Sequence, residues 1–339
     1  MSRRSLSRRE FGRLVGASAL AAWPAASFAA GGAGQAVRPA GGALLQVALV
    51  TCPDYAPETL AAAVRQGWRS SRPPDVRGKR VVLKPNMVDV SAERPIHTDP
   101  RLIEALVLHL GDLGAREIVL AEGTSHNRDS EDLFRRAGYE AIARRRGVRL
   151  VDLNYDDLVP VRSVNPRATL LREMVLPRTI REAEVLISLP KMKTHKLAGI
   201  TLAMKNMFGA LPGMVYGWPK NTLHWNGIPL SICEINGTIK THYAIVDGVI
   251  GMEGHGPVMG RAKKAGVLVM GDNALAVDAT AARIMGVDPE RVEYLALAHR
   301  IKLGSLRPED IAVSGGRPDR VRTDFALDPE FASLRAPRG

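Results

Sequence analysis

Short apolar runs alternate with stretches of helical spacing over most of this chain. Residues 46–50, 80–84, 117–121 and 148–153 read as strands. Between them, 57–69 opens on a proline suited to a first helical turn. Residues 99–113 set Leu102, Ala105, Leu106, His109 and Leu113 at helical spacing, with Gly114 as the stop. Residues 130–146 read as one or two helices. This rhythm predicts an α/β fold: a mainly parallel sheet with helices on both faces.

After Asn154 the pattern loosens as far as Ile180, and then a buried strand is expected at 185–189. Pro190 ends it, because proline cannot donate a ladder hydrogen bond. A polar loop over 191–196 is expected next, then a helix at 200–208 carrying Lys205 and Asn206. The Gly/Pro/Asn-rich segment 209–229 reads as a long functional loop. Helices follow at 228–239, 274–285 and 291–301, and strands at 242–246, 267–270 and 311–314. The segment 251–260 is too rich in glycine for a regular element. One α/β domain over 46–315 is expected, with lobes 46–175 and 176–315 around a central crevice as the alternative, and a loose basic tail over 316–339.

The N-terminus changes the picture. Ser7-Arg8-Arg9-Glu10-Phe11-Gly12-Arg13 and the apolar run 14–30 form a twin-arginine pattern with small residues at Ser27, Ala29 and Ala30. Residues 1–30 therefore read as an export signal and 31–45 as a flexible linker. The expected location is periplasmic or otherwise exported, with the twin-arginine export machinery as a partner. That route carries folded proteins, often with a cofactor already loaded. The run holds Pro24 and no second span follows, so no stable membrane span is expected in the mature chain.

Formal net charge is +12, falling to +8 without residues 1–30 (42 basic against 34 acidic residues). The positive residues are scattered and aromatics make up 5% of the chain, which argues against nucleic acid as partner. Small acidic molecules, or an anionic cell surface, suit this balance better. Cys52 and Cys233 are too few for an iron–sulfur cluster. They are either buried thiols or, in an oxidising compartment, a disulfide.

The chemistry gathers at expected strand ends, where ligands of open α/β sheets sit. Lys84 and Asn86 follow the second strand, with His97 further along the loop, while Thr98 and Asp99 read as helix caps. Glu122, Thr124, Ser125 and His126 follow the third, and His126 is a candidate for proton transfer. Lys191, Lys193, Thr194, His195 and Lys196 follow the central strand; they make either a solvated basic face or an anion site. Asp247, Glu253, Gly254, His255 and Gly256 mark the fourth, with chemistry for a hard metal or a proton relay but no standard metal spacing. Asp272 reads as a cap, and Asp278 is an odd acid inside an apolar helix.

These motifs resemble a bacterial and archaeal family, domain of unknown function 362, over roughly 46–315. The resemblance rests on Lys84-Pro85-Asn86, His97-Thr98 with Pro100, Leu189-Pro190-Lys191-x-Lys193-Thr194-His195, Lys205-Asn206-x-Phe208-Gly209 and Pro212-Gly213. His224, Asp247-Gly248, Glu253-Gly254-x-Gly256-Pro257 and Asp278 continue it in order. Many members append an iron–sulfur segment for which this chain lacks the cysteines. A remoter resemblance is to the nickel-pincer lactate racemase family. Gly123-Thr124-Ser125-His126 is similar to its Gly-Thr-His element with one extra residue, and His195 and Lys205 keep its ten-residue spacing. That resemblance implies His126 and His195 as acid/base groups, Lys205 as the anchor of a nickel-type or other transition-metal cofactor, and His224 as a metal ligand. Asp247 is a second candidate ligand.

The function expected from all this is an exported enzyme acting on a small anionic organic molecule by proton-transfer or metal-assisted chemistry. Its catalytic candidates are His195, His126 and Lys205. Its anion-binding candidates are Lys84, Asn86, Lys191, Lys193, Thr194, Asn206, Glu253, Gly254 and Gly256. The competing expectation is a periplasmic binding protein that clamps an anion without chemistry.

Overall fold

The computed structural model describes residues 43–124, 129–163 and 171–337. The export signal, most of the linker and His126 lie outside them. The strands are β1 (Leu45–Thr51), β2 (Arg80–Pro85), β3 (Glu117–Glu122), β4 (Arg149–Asp152), β5 (Leu158–Arg162) and β6 (Glu173–Pro177), then β7 (Val185–Leu189), β8 (Lys191–His195), β9 (Gly199–Thr201), β10 (Tyr243–Glu253), β11 (Arg261–Gly271) and β12 (Ile311–Ser314). The helices are α1 (Pro57–Ser70), α2 (Pro100–Asp112), α3 (Ser130–Arg136), α4 (Tyr139–Arg146) and α5 (Arg178–Arg181), then α6 (Ala203–Asn206), α7 (Gly213–Tyr216), α8 (Asn221–Trp225), α9 (Ile228–Thr238), α10 (Ala274–Ile284) and α11 (Glu293–Arg300). Among the described residues no helix is long and apolar enough to cross a membrane.

One mixed sheet runs in the order β12-β1-β11-β10-β7-β2-β3-β4, with β8 and β9 branching from β10. From β10 through β7, β2 and β3 to β4 every pairing is parallel. The long hairpin of β10 and β11, with β11 laid against β1, adds antiparallel pairs to the mostly parallel sheet. β7 pairs with β2 and β11 with β1, so the sheet crosses residue 175 without a break.

Strand alternation sends side chains to opposite faces, and helices cover both. Ala48, Val50, Val81, Leu83 and Ile187 pack with Leu60 and Val64 of α1 and Leu102 and Leu106 of α2. Val47, Leu49, Val82 and Leu186 face the opposite layer, with Ile232 of α9, Val277 of α10 and Leu295 of α11. Asp99 caps α2 by accepting from the Arg101 amide. Asn273, not Asp272, caps α10. Leu45 is buried, so the sheet starts at the last residue of the expected linker.

Four expectations are corrected. The polar run after Pro190 is a strand rather than a loop, and Lys191, Lys193 and Thr194 are at most 2% exposed. Pro190 ends the ladder with β2 and β7, after which β8 finds new partners in β10 and β9. The expected helix 200–208 is a short strand, one helical turn and a 3₁₀ turn. β10 continues to Glu253, three residues into the glycine-rich segment. A side chain at Gly251 would meet the Met192 carbonyl at 2.6 Å, so glycine there lets β8 lie against β10. The tail is not loose: Phe325 is fully buried, and the Arg335 guanidinium donates to the Met285, Gly286 and Phe325 carbonyls. Cys52 and Cys233 are buried free thiols in opposite layers of the core.

The buried lysine of β8 has a carboxylate partner. Lys191 Nζ lies 2.6 Å from Asp247 Oδ2, and the Tyr55 hydroxyl donates to Asp247 Oδ1 at 2.7 Å. Removing one partner of such a pair costs about 3–5 kcal/mol, whereas an apolar pair of similar volume is close to neutral. Lys191→Met is therefore expected to lose stability on that scale in urea unfolding, and Lys191→Met with Asp247→Leu to regain most of it. An unchanged midpoint for the single variant would show that the pair does not hold β8 to β10.

Candidate functional site

A cleft of about 450 Å³ opens where the carboxyl ends of β2 and β3 meet the turn after β8, α6, the loop before α8, and the tip of the β10–β11 hairpin. Lys84, Asn86, Glu122, His195, Lys205, Asn206, Lys220 and His224 line it. Lys196, Leu197, His255 and Met259 stand among the groups toward its mouth. The volume suits a small organic ligand.

The floor is a sealed polar knot. Lys84 Nζ lies 2.8 Å from both carboxylate oxygens of Glu122, 2.9 Å from the Pro85 carbonyl and 3.3 Å from Asn206 Oδ1. The amides of Met87 and Gly123 also donate to Glu122. Burial pulls the Lys84 ammonium down and pushes the Glu122 carboxyl up, and the opposite charge of each opposes that drift. Asn206 donates from Nδ2 to the Lys84 carbonyl and to Ser188 Oγ, at 3.1 Å each. At the other end of the same turn, the Asp278 carboxylate accepts from the Ala203 and Met204 amides. The odd acid of α10 is thus the cap that sets α6.

Lys205 sits between those two anchors. Its Nζ lies 3.9 Å from the centroid of the Phe208 ring, and among the described residues it has no hydrogen-bond or ion-pair partner. The ring face favours an ammonium. Burial and the neighbouring Lys84 charge outweigh that and lower the amine to about 7.

His195 and His224 are held in opposite tautomers. His195 Nδ1 accepts from the Leu197 and Ala198 amides at 3.0 and 3.2 Å, so the ring proton belongs on Nε2. Burial and the charges of Lys205 and Lys193 keep this imidazole neutral far below its ordinary range. His224 Nδ1 lies 3.0 Å from the Lys220 carbonyl, an acceptor only. Its proton belongs on Nδ1, and Nε2 carries the free lone pair. His195 offers the cleft a donor and His224 an acceptor. The turn behind His195 needs Gly199, where φ is +75° and a Cβ would meet Leu334 Cδ1 at 2.5 Å.

Lys220 escaped the sequence reading. It is fully buried with φ +65°, and its Nζ donates to the carbonyls of Gly123, Phe208, Gly209 and Leu211 at 2.6–3.3 Å. Burial lowers it to about 7 while the four carbonyls favour the ammonium. A lone lysine after Trp218-Pro219 carries no pattern; the only signal was that 209–229 is too long for an idle loop. Thr201 was missed as well. Thr201 Oγ1 and Asn86 Oδ1 are buried atoms without hydrogen-bond partners, both on cleft-lining residues.

The cleft brings together Lys84, Asn86, His195, Lys205, Asn206, His224 and Gly256 from the sequence candidates. Six others it does not include. Lys193 Nζ donates to the Ile96 carbonyl at 2.7 Å and Thr194 Oγ1 to the Gly254 carbonyl at 2.8 Å, so both tie loops together. Glu253 holds Arg261 and the Ala326 amide. Lys191 and Asp247 consume each other. Gly254 serves the hairpin bend with φ +82°. His97 is half-buried beside Tyr139 and lies outside the cleft.

The chemistry of the donors also tests the cofactor expectation. The Lys205 amine suits an anchor, and the His224 Nε2 lone pair suits a metal ligand. Asp247 is spent in its ion pair, and among the described residues no three His, Cys, Asp or Glu side chains converge on one point. A metal held by side chains alone does not fit this set.

A family described as a domain of unknown function (DUF362) matches residues 81–283. The thylakoid-associated protein sll1697 of Synechocystis sp. is 25% identical over 242 residues, covering 68% of this chain and 71% of that protein. A Thermotoga maritima protein of solved structure aligns at 16% identity and TM-score 0.40 over 59% of this chain, which spans 51% of its length.

The lowered Lys205 sets a direction for stability against pH. A folded value near 7 against an ordinary 10.5 means that the unfolded chain binds more protons between those limits. The burden of the buried amine is complete below about pH 7 and shrinks as pH rises toward 10.5. Lys205→Met is expected to unfold at a higher urea midpoint than the parent at pH 6, with the advantage fading by pH 10. A gap independent of pH would refute the lowered value.

Proposed function

We propose that this chain, which belongs to the domain of unknown function 362 family, is an enzyme that moves a proton on a small anionic organic molecule. The observation that carries this reading is the pair of opposite tautomers, His195 with Nε2–H and His224 with a free Nε2, beside a Lys205 amine that has no hydrogen-bond or ion-pair partner among the described residues. The twin-arginine pattern at Arg8-Arg9 supports an exported location.

In this reading the ligand's negative end meets the Lys196 ammonium at the mouth and the His195 Nε2–H within. Glu122 adds no competing charge, because Lys84 and two amides occupy it. A polar group of the ligand meets Asn86 Oδ1 or Thr201 Oγ1, which otherwise lack partners. His224 Nε2 takes a proton from the ligand and can return it, while the His195 Nε2–H hydrogen-bonds the negative charge that develops. A lone pair on one imidazole and a fixed donor on the other suit one such transfer. A receptor that merely clamps an anion has less support, since Lys84, Lys191, Lys193 and Lys220 are all spent inside the protein.

Small carboxylates selected by calorimetric titration are expected to take up solvent deuterium at carbon when incubated with the protein in D₂O, as read by proton NMR. His224→Gln should slow that exchange by about 10²–10⁴-fold with binding little changed. Binding without exchange in the parent protein would establish the receptor reading instead.

A further inference from the structure

The most reactive unexplained group in the cleft is the Lys205 amine. The buried lysines of the cleft spend their donors, Lys84 on Glu122 and Lys220 on four carbonyls, and nearby Lys193 spends its own on the Ile96 and Pro257 carbonyls. Among the described residues Lys205 has no such partner, and its Nζ rests on the Phe208 ring. It is held in place from both sides, by Asn206 through Lys84 and Ser188 and by the Asp278 cap. A positioned lysine without a partner, in an apolar contact beside a second cation, has the environment of a nucleophilic amine.

We propose that Lys205 forms a Schiff base with the carbonyl carbon of a small 2-oxo acid. This rests on the reading of the cleft as a proton-transfer site for organic anions and names their class. The carboxylate beside the carbonyl answers the cationic character of the cleft, where Lys196 and the His195 Nε2–H are available. The amine lone pair attacks the carbonyl carbon, whose oxygen is hydrogen-bonded by the His195 Nε2–H and takes a proton from solvent. The nitrogen loses a proton to His224 Nε2. His224 returns that proton to the carbinolamine hydroxyl, which leaves as water as the C=N bond forms, and its Nε2 lone pair is restored. The balance is one amine, one carbonyl and one proton giving one iminium and one water, with no change of oxidation state. The iminium then acidifies the neighbouring C–H, the hydrogen that His224 Nε2 would remove. The amine titrating near 7 leaves a substantial neutral fraction at neutral pH.

The experiment is reductive trapping. The full chain is incubated with pyruvate and sodium borohydride, and the adduct is located by peptide mass mapping. One reduced adduct on Lys205, formed faster at pH 8 than at pH 6 and at least tenfold faster than on any surface lysine, is expected. Lys205→Arg should lose that adduct while keeping a cation at the position. The same samples are probed with acetic anhydride without borohydride. Pyruvate that protects Lys205 from acetylation but gives no adduct would overturn the Schiff base and leave the anion site standing. Labelling spread evenly over surface lysines, with no protection of Lys205, would overturn both.

Discussion

The ion pair of Lys84 and Glu122 fixes the rest of the site, because both charges are withdrawn from water at 1% and 2% exposure. Charges so placed are tolerated only when each is answered at short range. The carboxylate is answered by an ammonium and two amides, the ammonium by a carboxylate, a carbonyl and an amide oxygen. Those partners come from β2, β3 and α6, and Asn206 adds Ser188 of β7. Three adjacent strand ends are thereby locked to the single helical turn that carries Lys205. The same logic operates at Lys191 and Asp247, where the pair joins β8 to β10.

This use of charge explains how a cleft lined by so many cations can present so few of them. Most of the lysines hold backbone, and their crowding depresses the ones that remain. Burial and then Lys84 lower Lys205, and burial and then Lys205 with Lys193 lower His195. The architecture that makes the pocket thus also tunes its chemistry, turning structural cations into a field that favours neutral bases nearby.

The alternation of periods in the sequence was enough to place nearly every strand and helix of the regular layers, since burial on one or both faces writes itself into spacing. It failed where polarity and exposure part company. Lys191, Lys193 and Thr194 read as a loop because charged side chains usually face water. Here each finds an acceptor, so a strand of cations is buried. The antiparallel arm of β10 and β11 was equally hidden, since glycine-rich composition says nothing of what another strand needs from it. Clustering of motifs at strand ends pointed to Lys84, Asn86 and His195, and the family resemblances added Lys205 and His224. No pattern could have announced Lys220, whose work is to gather carbonyls that are distant in sequence. The tautomers of His195 and His224 depend on which backbone groups face each ring, and spacing carries no record of that.

The burial of Phe325 gives the order of synthesis a structural consequence. Its ring closes on Gly251, and the adjacent Ala326 amide is held by Glu253, so the end of β10 next to the hairpin turn is pinned by residues made about seventy positions later. The hairpin tip contributes Gly256, Pro257 and Met259 to the cleft. One wall of the pocket therefore stays unsecured until residues 325 and 326 have been made. A nascent chain can pair its parallel strands well before that wall is pinned.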